Sequence, residues 1–78
     1  MININVYVAN NCPACKRAVA ILQSFSYYNS GVELIVINIE NSKAPVTIVP
    51  AVYLNDELYC FGEIDKSKLK LKIRNLLS

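Results

Sequence analysis

Apolar and polar positions alternate from the start of the chain: Ile2, Ile4 and Val6 are interleaved with Asn3 and Asn5, and Tyr7-Val8-Ala9 continues as an apolar run. A period of two ending in such a run predicts a buried strand over residues 2–9. Asn10-Asn11 punctuates it, and Pro13 suits a first helical turn, where its missing N–H costs nothing. From Pro13 to about Asn29 the period changes. At ~100° per residue, Cys15, Ala18, Val19, Leu22 and Phe25 share one face, with Ala14 and Ile21 at its margin. Lys16, Arg17, Gln23, Ser24 and Tyr27 lie opposite, so the segment is an amphipathic helix with Cys15 turned inward and Gly31 as its stop.

Residues 32–39 form a second β-branched run, and a full helix between two strands predicts a parallel pair joined by a right-handed crossover. Asn41, Ser42, Lys43 and Pro45 mark residues 40–48 as a loop. Pro50–Leu54, the turn pair Asn55-Asp56 and Glu57–Phe61 form a hairpin; Gly62 ends it, and Asp65 is placed to cap the closing segment. That segment is ambiguous, because Lys68–Ile73 alternates as a strand would. Leu69, Ile73, Leu76 and Leu77 nevertheless fall within one ~100° arc, with Leu71 alone pointing away, and cap and length favour a helix. The elements read in the order βαββα: an α/β fold with a four-stranded mixed sheet and a shortened connection between strands two and three. Strand three must start beside Cys12, across strand one. That crossing is ~10 Å, and nine or ten residues reach ~30 Å.

The chain of 78 residues is expected to be a single domain over residues 1–78, and 54% hydrophobic with 18% charged residues excludes a disordered tail. No apolar run approaches the ~18 residues of a membrane span, and the first residues lack the basic region of a signal peptide, so a soluble, cytoplasmic protein is expected with no membrane partner. The net charge of +2 hides an asymmetry: residues 66–78 carry Lys66, Lys68, Lys70, Lys72 and Arg74 with no acid, leaving −3 for the rest. Such a segment can dock an acidic partner or nucleic acid. Without interleaved aromatics it reads as a solvated helix face, and no nucleic acid is expected.

Three cysteines and no histidine narrow the chemistry. Histidine-dependent triads are excluded, and Cys60 cannot complete a four-ligand zinc site around Cys12-Pro13-Ala14-Cys15. Dithiol chemistry remains. At a helix N-terminus, Cys12 is placed where unpaired N–H groups and the dipole stabilise a thiolate, which lowers such thiols from ~8.5 into the range ~3.5–7.5. Lys16 and Arg17 add positive charge nearby. Cys15, one turn deeper and inward, stays protonated until needed. Cys12 is therefore the expected catalytic nucleophile and Cys15 the resolving thiol. The competing class is a soft-metal module that binds copper through the same pair, but such modules usually carry Met before the first cysteine and end in a strand. Cys60, two strands from the first, lies ~10 Å away, beyond the ~7 Å Cα limit for a disulfide, and reads as core packing.

The strand, then Cys12-Pro13-Ala14-Cys15 opening a helix, then Ile48-Val49-Pro50 opening a hairpin, then Gly62, resembles the thioredoxin/glutaredoxin superfamily over nearly the whole chain, in the form of a minimal glutaredoxin-like dithiol protein. The resemblance implies a three-layer fold and a thiol–disulfide oxidoreductase with no metal and no cofactor beyond its own redox-active disulfide. It implies disulfide-containing protein substrates and a reductase or glutathione as electron donor. It also implies a cis Pro50 facing the cysteines, with Val49 presenting its backbone to substrate and Pro13 and Ala14 beside it. The chain departs from the pattern at Asn11 and Val6, where thioredoxins carry Trp and a buried carboxylate. Glu63 follows Gly62 where glutaredoxins carry a second glycine, and Ala9-Asn10-Asn11 replaces a basic residue. Residues 40–48 are too few for the usual helix, yet the strands are apolar at both parities. Cover by Ala44, Pro45, Val46 and Ile48 is expected, together with weak self-association through whatever they leave bare.

Overall fold

The computed structural model describes residues 2–40 and 48–77. Along the chain run β1 (Ile2–Val8), α1 (Pro13–Tyr28), β2 (Val32–Asn38), β3 (Ala51–Leu54), β4 (Glu57–Phe61) and α2 (Lys66–Leu77). The order is thus βαβββα. The reading βαββα is one strand short, because the hairpin supplies two strands beside the two that flank α1.

The sheet order is β2-β1-β3-β4, with β1 at its centre. β1 runs parallel to β2 from Ile2↔Val32 to Val8↔Asn38 and antiparallel to β3 from Ile4↔Leu54 to Tyr7↔Ala51. That places strand three across strand one, as expected. Alternation along β1 decides which side is packed: Ile2, Ile4 and Val6 are buried and meet Leu22 of α1 and Leu69 and Ile73 of α2 in one core. Burying side chains of this size contributes ~1.5–3 kcal/mol each. The period-two stretch in α2 resolves the same way, since Leu69 and Ile73 are buried while Leu71 is 58% exposed.

Turn chemistry fixes the connections. Asn55 (φ 50°) and Asp56 (φ 69°) both take the left-handed conformation that a two-residue type I′ hairpin requires. Asn55 is also tied to the start of β1, its N–H donating to the Asn3 carbonyl at 2.8 Å and its Oδ1 accepting from the Asn3 N–H at 2.9 Å. α1 ends differently from the expectation. Its stop is Asn29, whose side-chain amide donates to the Phe25 carbonyl at 2.9 Å. Gly31 is not left-handed; it makes room, since a Cβ there would lie 3.1 Å from Leu77 Cδ2.

Both helices pack on one face, so the described residues form two layers. The third layer expected from the 40–48 connection, and Ala44, Pro45 and Val46 within it, lie outside the described residues. Ile48 is described and is 56% exposed. On the helix-free face Tyr7 and Tyr53 stack edge to face at 5.4 Å, flanked by exposed Ile35, Leu58 and Phe61. Among the described residues no helix is long and apolar enough to cross a membrane.

Candidate functional site

β1 delivers the chain to the site. It ends at Val8, and Asn11 takes a left-handed φ of 54° that swings the backbone into α1. Asparagine tolerates this conformation better than other residues with a Cβ. The approach loop is braced from β2: Asn38 Nδ2 donates to Asn10 Oδ1 at 2.9 Å, Asn10 Nδ2 donates to the Glu40 carboxylate, and the Glu40 N–H donates to Asn38 Oδ1 at 2.9 Å. In the sequence, Asn10-Asn11 reads as punctuation only. The partners of Asn10 lie 28 and 30 residues away, beyond any local pattern.

Cys12 is the N-cap of α1, with extended backbone (φ −117°, ψ 98°), and its Sγ accepts a hydrogen bond from the Cys15 N–H at 3.1 Å. Pro13 follows at the first helical position, exposed, and Ala14 is half-buried. Cys12 and Cys15 are joined as a disulfide with a Cα–Cα separation of 5.2 Å. Cys15 is only 3% exposed while Cys12 remains partly accessible. The arrangement gives a partly accessible cysteine whose sulfur receives one helix N–H, with a second cysteine held behind it. Beside the disulfide lies a notch of about 260 Å³, walled by Val8, Ala9, Val19 and Ala20, with Lys16 and Gln23 at its rim.

Pro50 is fully buried, and the Val49–Pro50 peptide is cis. Its carbonyl accepts from the Gly62 N–H at 2.8 Å. Because Ala51 pairs with Tyr7, Val49 and Pro50 stand at the end of the sheet from which β1 leads to Cys12. They form no part of the notch wall.

One electrostatic expectation needs correction. Arg17 forms an ion pair with Glu63, in which its guanidinium donates to the carboxylate from both Nε and Nη2. This hydrogen bond raises the Arg17 pKa and lowers that of Glu63. The Arg17 charge is therefore engaged by the β4–α2 connection and is not free for Cys12. Cys60 sits on β4, separated from β1 by β3, half-buried against the core, and burial pushes its thiol up. Among the described residues no group of three or more His, Cys, Asp or Glu side chains could hold a metal ion. Residues Lys66–Leu77 are a helix where the copper-binding alternative calls for a strand.

A family model described as "Thioredoxin domain" matches residues 2–77. Among solved structures, that of Trichomonas vaginalis thioredoxin is similar with a TM-score of 0.77 and 22% identity, over 96% of this chain and 78% of that one. No curated protein matches the sequence.

Proposed function

This chain belongs to the thioredoxin-domain family, and on that premise we propose that it is a dithiol oxidoreductase that reduces disulfides in protein substrates. The observation that carries this reading is the capped sulfur: Cys12 receives the Cys15 N–H at 3.1 Å, and Cys15 lies buried behind it. In the reduced protein the Cys12 thiolate attacks one sulfur of the substrate disulfide. That bond breaks, a mixed disulfide forms, and the second substrate sulfur leaves as a thiolate and takes up a proton. Cys15 then loses its proton and attacks Cys12 Sγ, which forms the intramolecular disulfide and expels the first substrate sulfur as the second thiol. Two electrons have passed to the substrate, and a reductase or glutathione must return them.

Substrate would lie as an extended segment against Val49, whose backbone borders the buried Pro50, with Pro13 and Ala14 presented beside Cys12. The notch beside the disulfide supports an apolar side chain next to the substrate cysteine. Its small walls, Ala9 and Ala20, leave space, and Lys16 at the rim offers a contact to a carboxylate. A reducing compartment such as the cytoplasm keeps such a pair in its dithiol form.

Turnover of a peptide disulfide tests the reading and sorts its two finer forms. With glutathione and glutathione reductase as donor, activity marks a glutaredoxin-like protein; with a thioredoxin reductase, a thioredoxin-like one. Undiminished turnover by Cys12→Ser would overturn the proposal.

A further inference from the structure

A groove runs along the seam between α1 and α2, apart from the cysteines. Two hollows of about 600 and 350 Å³ share Phe25, Asn29 and Lys70 and are continuous. The two walls differ in chemistry. On α1, Ile21, Phe25 and Tyr28 stand at i, i+4 and i+7 and form an apolar row; on α2, Lys66, Lys70 and Arg74 stand at i, i+4 and i+8 and form a cationic one. Among the described residues no acidic side chain lines either hollow. The nearest acids along the chain are engaged, Asp65 in capping α2 and Glu63 in the pair with Arg17. None of the three cations makes an ion pair among the described residues. Tyr28 is 78% exposed; its ring meets that of the neighbouring Tyr27 edge to face at 5.0 Å and otherwise faces solvent.

We propose that this groove docks an acidic amphipathic helix of a partner protein. The spacing supports a helix. Successive cations are ~6 Å apart along α2, the rise of four residues, and carboxylates at i, i+4 and i+8 of a second helix repeat at the same interval. From Lys66 to Leu77 the groove is ~16 Å long, room for about three turns. Leucine-sized side chains on the neighbouring stripe of that helix would lie on Ile21, Phe25 and Tyr28, the usual arrangement for a helix in a groove. A flat anionic bilayer would meet the exposed Tyr28 but not the half-buried Ile21 and Phe25, and a phosphate backbone makes no use of an apolar row. The inference is independent of the dithiol reading, since groove and notch have only Ala20 in common.

The test uses the full chain and a fluorescein-labelled amphipathic peptide of ~15 residues, with Glu along one stripe and Leu along the next. Anisotropy should give a Kd on the order of 10–100 μM that weakens as salt is raised. Changing the peptide's Glu to Gln, or making K66E/K70E/R74E in the protein, should each weaken binding at least ~10-fold, and Tyr28→Ser should weaken it less. Disulfide reduction by the triple variant should be unchanged. Should that variant prove unfolded by circular dichroism, the single variant Lys70→Glu reads the same loss in smaller degree. Equal binding of the Gln peptide, equal binding by folded charge-reversed protein, or no saturation by ~1 mM would overturn the proposal. So would tighter binding of a single-stranded oligonucleotide or phosphatidylserine vesicles, or a dimer in sedimentation that Lys70→Glu abolishes.

Discussion

At the start of α2 the Asp65 carboxylate accepts a hydrogen bond from the Lys68 N–H at 3.1 Å, and at the start of α1 the Cys12 sulfur accepts one from the Cys15 N–H at the same distance. The backbone repeats the match: Leu69 N–H donates to the Asp65 carbonyl at 3.0 Å and Lys16 N–H to the Cys12 carbonyl at 3.1 Å. Each helix thus offers the same unpaired donors and the same positive end of its dipole to the residue before it. In α2 that residue is an aspartate and its role is structural. In α1 it is a cysteine, held in the disulfide with Cys15, so under the proposed function the position that stabilises one helix would supply the nucleophile in the other. On the proposed function, reactivity at Cys12 would derive from an ordinary cap occupied by an unusual residue.

The largest effect comes from removing the sulfur. Cys12→Ser keeps a capping oxygen and should keep the fold, but disulfide reduction should fall to the uncatalysed background, while Cys15→Ser should accumulate mixed disulfides visible on non-reducing gels. Next, the caps predict an order of reactivity. In the reduced protein at neutral pH, limiting iodoacetamide should modify Cys12 several-fold faster than Cys60, whose thiol is pushed up by burial and half-covered. Burial pushes the Cys60 thiol up, so its alkylation should keep rising with pH above ~8.5, where an ordinary thiol is levelling off. Equal rates would break the comparison.

Exchanging the caps sharpens it. Asp65→Ala should lower stability by ~1 kcal/mol, or ~4–8 °C in Tm for a domain of this size. Asp65→Cys should restore part of that loss above the ordinary thiol pKa of ~8.5 and lose it again as pH falls through the lower folded value, because a cap that favours the thiolate depresses its pKa in the folded state. A flat pH dependence would show that the donors of α2 do not act on a sulfur as those of α1 are argued to. The smallest effect is at Glu63→Gln. Its carboxyl is held low by the hydrogen bond from Arg17, so the pair contributes above the ordinary carboxylate pKa of ~4.3 and is lost as pH falls through the folded value. Both side chains are largely exposed, and ~1 M salt should erase the difference from wild type.

Legibility in the sequence tracks the range of the interactions. Period two in residues 2–9, the inward face from Cys15 to Phe25, and the Asn55-Asp56 turn are set by neighbours a few residues apart, and each appears where expected. The order β2-β1-β3-β4 was accessible too, because residues 40–49 are long enough to cross β1 and the hairpin sets β4 beside β3. The bracing of Asn10 by Asn38 and Glu40 and the capture of Arg17 by Glu63 were not, since each joins residues that only the finished sheet brings together. The same holds for the seam groove. The basic residues of α2 read as a solvated face, and only the packing of α1 alongside gives Lys66, Lys70 and Arg74 an apolar wall opposite.

The position of β1 also bears on how the protein is made. Made before the other strands described, β1 can pair with β2 as soon as α1 and β2 have followed, but its other edge waits for β3, whose Leu54 partners Ile4 across 50 residues of chain. Until then a strand containing Ile4, Val6 and Tyr7 keeps a row of open N–H and C=O groups, the kind of edge that recruits a second nascent chain. The β3–β4 hairpin closes locally and quickly; its docking onto β1 is the long-range, slower step. Newly made chains are therefore exposed to aggregation mainly in the interval before that docking, and chaperones that bind extended apolar strands would find their target in β1.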